Sequence, residues 1–275
     1  MGFLHLEKVH SSNLRSVNLS EFHPDRTSIL ISGGHHLSVF GIHKYPFEFR
    51  RGDVFLSIEP GDRYSYYHRV VPGDDCRKMI GNREGRIVIN PVEPVSLPHN
   101  VTGMIEFHFT PIVLEPGSTV KIYTVFPVDV GVFLEAADGY DLLDVFTLTK
   151  QKYSLYGTPE KGFITRHIEA EVSDTIPGTD RIKEGVMEIA MHNCGQGWVE
   201  VSRAVFEQST MHLFYGSRVS MKAEMDVYSR MMAETRVLER PLEEGMKQSI
   251  RLISSRRSLI HEKPSFLMEY GVGDS

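Results

Sequence analysis

The chain has 275 residues, 41% of them apolar and 24% charged, an ordinary globular composition that excludes a disordered protein. Thirty basic residues against thirty-six acidic ones give a formal charge of −6, which argues against nucleic-acid binding driven by overall charge. No run approaches the roughly 20 apolar residues of a membrane-spanning helix, and Cys76 and Cys194 alone cannot build a disulfide framework, so a reducing cytoplasm is the expected setting.

The first eight residues lack a basic segment followed by a long apolar one, so no signal peptide is expected. Short β-rich runs follow at 28–32, 37–42, 54–58, 64–71 and 86–89. Ile105, Phe107 and Phe109 then alternate with Glu106 and His108, the pattern of a strand with one apolar face. Further runs lie at 120–126 and 163–172. Met187, Ile189 and Met191 alternate with Glu188, Ala190 and His192, and Val199, Val201 and Val205 share one parity. The longest alternation sets Val219, Met221, Ala223, Met225 and Val227 against Ser220, Lys222, Glu224, Asp226 and Tyr228. Glycine and proline punctuate the gaps, as at Pro60-Gly61, Pro72-Gly73, Pro116-Gly117 and Pro177-Gly178. Together these predict a mostly β protein: one or two packed antiparallel β-sandwiches.

One segment departs from period two. Leu242, Met246, Ile250 and Ile253 fall near helical spacing behind Pro241, Glu243 and Glu244, which predicts a C-terminal helix over 242–260. The stretch 157–162, with Gly157, Pro159 and Gly162, is a candidate hinge. It would divide the chain into β domains at 1–157 and 158–275, unless the two form one continuous unit.

Two arginines sit where charge is costly. Arg166 shares its strand parity with Ile164, Ile168 and Val172, and Arg203 shares its own with Val199, Val201 and Val205. A charge on an apolar face needs a carboxylate, carbonyls or a bound anion. Glu93 and Asp129 are the candidate partners. Lys152, Tyr153 and Tyr156, like Tyr64, Tyr66 and Tyr67 beside Arg63, His68 and Arg69, interleave aromatic with basic residues. Such clusters can stack bases or sugars, but in a β protein they more often pack. His192 and Cys194 share a strand face, yet no HExxH or paired CxxC pattern supports a metal site. No GxSxG elbow and no phosphate-binding glycine loop occurs.

Several blocks in order resemble a known family: Asn90-Pro91-Val92-Glu93-Pro94, Leu97-Pro98, 126–132, Lys152-Tyr153-Ser154-Leu155-Tyr156-Gly157, 162–166 and 199–206. They are similar to the archaeal family catalogued as domain of unknown function 432, over most of the chain up to about residue 230. The resemblance implies an archaeal source and a mostly β fold. It also implies, through gene neighbourhood, a regulatory or membrane-adjacent role beside small-conductance mechanosensitive channels. It carries no catalytic residues and no cofactor.

The expectation is therefore a non-enzymatic binding or regulatory module without cofactor, metal or catalytic residues. Arg166, Arg203, Asp129, Glu93, Lys152, Tyr153 and Tyr156 are its candidate binding residues. The expected partner is a protein or a small anionic ligand rather than nucleic acid, and a homo-oligomer is compatible. The alternatives are a carbohydrate- or small-molecule enzyme using Glu93, Asp129 or Glu188 as acid and base, or a metal-dependent β-barrel.

Overall fold

The computed structural model describes residues 39–95, 101–137, 139–252 and 265–267. Strands dominate them, in four sheets. The first sheet runs in the order β1 (Gly41–Lys44), β6 (Arg86–Val92), β9 (Asp129–Ala136) and β10 (Gly139–Thr147), all antiparallel. The second is a meander of β2 (Phe47–Arg51), β3 (Val54–Pro60), β4 (Ser65–Val71) and β5 (Asp74–Ile80). Pro72-Gly73 closes its last hairpin: proline presets the first turn position, and Gly73 takes φ +82°, which a side chain would resist.

The third sheet has the order β11 (Tyr153–Tyr156), β12 (Phe163–Glu169), β7 (Met104–Leu114) and β15 (Val199–Glu207). The stretch read as a hinge is the turn between β11 and β12. The fourth sheet runs β13 (Val172–Ser173), β8 (Thr119–Pro127), β14 (Glu184–Asn193), β17 (Val219–Ser229), β16 (Phe214–Tyr215) and β19 (Lys247–Gln248). There β18 (Met232–Leu238) also pairs β17, and β20 (Ser265–Leu267) pairs β18.

Two pairings correct the purely antiparallel expectation: β12 with β7 and β14 with β17 are parallel. Side-chain alternation reports which face of a strand is buried, not which way its neighbour runs. The long excursions between the paired strands leave room for the crossover that a parallel pair requires.

The expected C-terminal helix is absent over its described part, 242–252. Gly245 takes φ +81°, outside any helix, and Lys247–Gln248 is strand β19. The backbone donors are engaged elsewhere: Ser249 N–H bonds Leu213 O at 2.9 Å and Ile250 N–H bonds Asn90 Oδ1 at 3.2 Å. The spacing that looked helical reflects separate anchor points on other elements. Residues 253–260 of that expectation, and the runs at 28–32 and 37–38, lie outside the described residues.

One apolar cluster draws on all four sheets. It includes Ile89 and Val132 of the first, Leu56 and Ile58 of the second, Phe107 and Phe206 of the third, and Met187, Met221 and Met225 of the fourth. Phe107 and Phe206 meet edge to face with ring centres 5.9 Å apart. The second sheet is tied to the first by a buried polar triad. Asp144 of β10 accepts from Tyr67 Oη at 2.8 Å and from Arg69 Nε at 2.7 Å. Burial alone would depress Arg69, but its bonds to Asp144 and Asp74 hold its pKa above the ordinary arginine value.

Candidate functional site

The residues singled out in the sequence fall into three places. Arg166 and Asp129 come together inside the molecule, joining β12 to β9. They are 1% and 0% exposed, with Arg166 Nη1 3.7 Å from Asp129 Oδ1. Nη1 also donates to Pro94 O at 2.6 Å and Nη2 to Thr149 Oγ1 at 3.1 Å. Gln208 Nε2 donates to the same Pro94 carbonyl at 3.2 Å. Burial lowers the Arg166 pKa, while the charge of Asp129 opposes that fall. Carbonyl, hydroxyl and carboxylate acceptors around one guanidinium make a lock between sheets.

Glu93, one residue before Pro94, does not join that pair. Its Oε2 accepts the Leu252 N–H at 2.9 Å, and its Oε1 lies 3.5 Å from Arg251 Nε. Arg251 also donates to Ser209 O. With Asn90 holding Ile250, the segment Asn90–Glu93 straps the chain at 250–252 in place. Burial pushes the Glu93 carboxyl above the usual carboxylate range, against the backbone bond from Leu252 and the charge of Arg251.

The third place is the outer face of the β11–β12–β7–β15 sheet. Strand register brings Ser154 opposite Thr165, His167 beside Glu106, and Arg203 opposite His108. Glu106 is 2% exposed although it stands on this polar face. Its Oε2 accepts from Ser154 Oγ at 2.8 Å and from Thr165 Oγ1 at 2.9 Å. Its Oε1 lies 3.6 Å from Arg203 Nη1, and His167 Nδ1 lies 3.9 Å from Oε2. The Arg203 side chain keeps 40% of its surface exposed.

That placement corrects the expectation that Arg203 shares the face of Val199 and Val201. The register with β7 shifts between Val201 and Arg203, and beyond the shift Ala204 and Phe206 enter the core, each 1% exposed. A bulge reverses the alternation of everything after it. Tyr153 and Tyr156 occupy opposite faces of β11. Tyr156 is buried against Phe163, with ring centres 5.3 Å apart, and burial, then the charge of Glu106, raises its pKa. Tyr153 stays exposed and donates to Gln151 Oε1 at 2.7 Å. Lys152 Nζ lies 3.4 Å from Glu169 Oε2, the carboxylate next along the face.

The other constellations separate. Tyr67 and Arg69 turn inward to Asp144, while Tyr64 and Tyr66 face outward, so the tyrosines form no single stacking surface. His192 Nδ1 pairs with Thr119 Oγ1 at 2.9 Å. Glu188 lies between Lys222 at 3.4 Å and Lys121 at 3.7 Å. Among the described residues no group of three or more His, Cys, Asp or Glu converges as a metal ion would need. No helix among them is long and apolar enough to cross a membrane.

Sequence reasoning missed Glu106, Ser154, Thr165 and His167 as a group. The parity of Glu106 with His108 was visible, but the partner strands that complete the cluster come from 48 and 59 residues away.

A family model described as "Protein of unknown function (DUF432)" matches residues 39–269. No curated protein and no solved structure matches the chain.

Proposed function

The chain belongs to the DUF432 family, and from that premise we propose that it is a non-enzymatic binding module that recognises an anionic group on the outer face of the β11–β12–β7–β15 sheet. Arg203 supplies the guanidinium. The observation that carries this reading is Glu106, a carboxylate held almost out of solvent by two hydroxyls, with its second oxygen facing Arg203. Such a carboxylate orients the guanidinium while Arg203 keeps part of its fork in water, where it can meet a carboxylate or phosphate. His108 and Lys152 add donors along the same face.

The geometry favours binding over acid–base chemistry. A nucleophilic relay places an imidazole between hydroxyl and carboxylate, whereas Ser154 bonds Glu106 directly.

Calorimetric titration of the full chain with inorganic phosphate and with a dicarboxylate tests the proposal. Wild type should bind at least one of them, and Arg203→Met should lose that binding while still unfolding cooperatively, at a lower melting temperature because buried Glu106 loses its cation. Binding that persists in Arg203→Met, or no binding in wild type, overturns it.

A further inference from the structure

Strand β11 is an edge: among the described residues only β12 pairs with it. The His167 N–H bonds Lys152 O at 2.9 Å, so 152 and 167 form a hydrogen-bonded pair. In an antiparallel ladder such pairs alternate, which commits the backbone groups of Ser154 and Tyr156 to β12 and turns those of Tyr153 and Leu155 outward.

Proteins usually blunt exposed edges with charges, proline, bulges or a covering element. Four other edge strands follow that rule. Strand β5 carries Asp74, Asp75, Arg77 and Lys78, strand β2 carries Glu48, Arg50 and Arg51, and β10 has a register irregularity beside Asp141 and Asp144. On β15, Thr235 Oγ1 donates to Val205 O at 2.6 Å. Strand β11 reads Tyr-Ser-Leu-Tyr, with no charge, proline or bulge. It also presents apolar surface: Leu155 and its cross-strand neighbour Ile164 are each 48% exposed, and Tyr153 is 40% exposed.

We propose that β11 is the contact through which two copies of this chain pair, antiparallel, about a two-fold axis at Ser154. The strand is self-complementary in that register. Tyr153 of each copy lies opposite Leu155 of the other, so the outward N–H and C=O groups of both residues exchange hydrogen bonds. Both side chains stand on one face, so Tyr153, Leu155 and Ile164 continue as a single apolar strip across the axis. Lys152 falls opposite Tyr156 of the second copy rather than opposite another lysine, so no like charges are opposed. An isologous contact of this kind uses one patch twice and closes. The axis passes at Ser154, which bonds Glu106, but the apolar strip of Tyr153, Leu155 and Ile164 lies on the opposite face of the sheet from Glu106, and neither proposal needs the other.

Sedimentation velocity on the full chain tests it. Wild type should sediment as a dimer, and Leu155→Lys should weaken the association by at least about tenfold. Leu155 is half exposed, so the variant should keep the fold, read as an unchanged circular-dichroism spectrum. Met79→Lys, at a 63% exposed site on β5, should leave the dimer intact. The register is tested separately by Ser154→Cys in a Cys194→Ser background. Facing residues of a non-hydrogen-bonded antiparallel pair lie about 4.5 Å apart at Cα, within disulfide reach. Mild oxidation should therefore yield a reducible covalent dimer. A monomeric wild type, a dimer indifferent to Leu155→Lys, or failure of the Ser154→Cys variant to cross-link overturns the proposal. Capture of a different protein's strand on β11 in place of a second copy also overturns it.

Discussion

Arg166 on β12 and Asp129 at the start of β9 are buried 3.7 Å apart, and the guanidinium also donates to Pro94 O and Thr149 Oγ1. Two strands from different sheets are thereby fixed by groups that cannot reach solvent. Removing one partner of such a pair leaves the other charged and uncompensated, which typically costs about 3–5 kcal/mol. Arg166→Met should show a loss of that size in urea denaturation. The double variant Arg166→Met/Asp129→Asn should recover part of it. Equal stability of the single variant and wild type would show that the pair contributes nothing.

Glu93 makes stability depend on pH in an unusual direction. Burial raises its folded pKa above the unfolded carboxylate value of about 4.3. The folded state therefore holds this proton more tightly, so the favourable contribution is complete below that unfolded value. It is lost as pH rises through the raised folded pKa. Glu93→Gln, which keeps an acceptor for the Leu252 N–H, should flatten this part of the profile. The check is the wild-type minus variant unfolding free energy across pH 4–8, which should fall with rising pH.

The Tyr67–Asp144–Arg69 triad ties the second sheet to the first. Tyr67→Phe removes one hydrogen bond to a carboxylate and should cost about 1.5–3 kcal/mol. Asp144→Ala should cost more, about 3–5 kcal/mol, because Arg69 then keeps only its bond to the exposed Asp74. Chemical denaturation of the two variants gives the ordering, and the reverse order would contradict the triad's geometry.

Thr165 is fully buried and donates to Glu106. Thr165→Val keeps the volume but leaves the carboxylate one donor short, with an expected loss of about 1.5–3 kcal/mol. If Glu106 orients Arg203 as proposed, anion affinity should fall as well, whereas Thr102→Val, whose hydroxyl donates to Ile164 O rather than to Glu106, should leave affinity unchanged.

The alternation in β7, β14 and β17 was readable because each strand turns an apolar face to the core and a mostly polar one away from it. Ile105 and Phe107, then Met187, Ile189 and Met191, then Met221, Ala223, Met225 and Val227 went to the core as their parity requires. Arg166 was also found from parity, as a cation among apolar neighbours, and Asp129 proved to be the carboxylate that answers it. Arg203 was misplaced because nothing local marks a bulge, which only becomes visible when Val201 and Arg203 are set against Ile112 and His108. The expected helix failed over its described part, 242–252, for a similar reason. Three apolar residues four apart look the same whether they line one helix or dock separately on other strands.

Length, composition and local alternation by themselves determined a mostly β chain with a large apolar core, because those signals depend only on neighbours within a strand. Tertiary structure decided the rest. It decided which strands run parallel, which face holds Arg203, that Glu106 meets Ser154 and Thr165, and that Asn90 and Glu93 strap residues 250–252. Each of these depends on residues brought together from distant parts of the chain, and pairing partners at that range leave no periodic trace in the sequence.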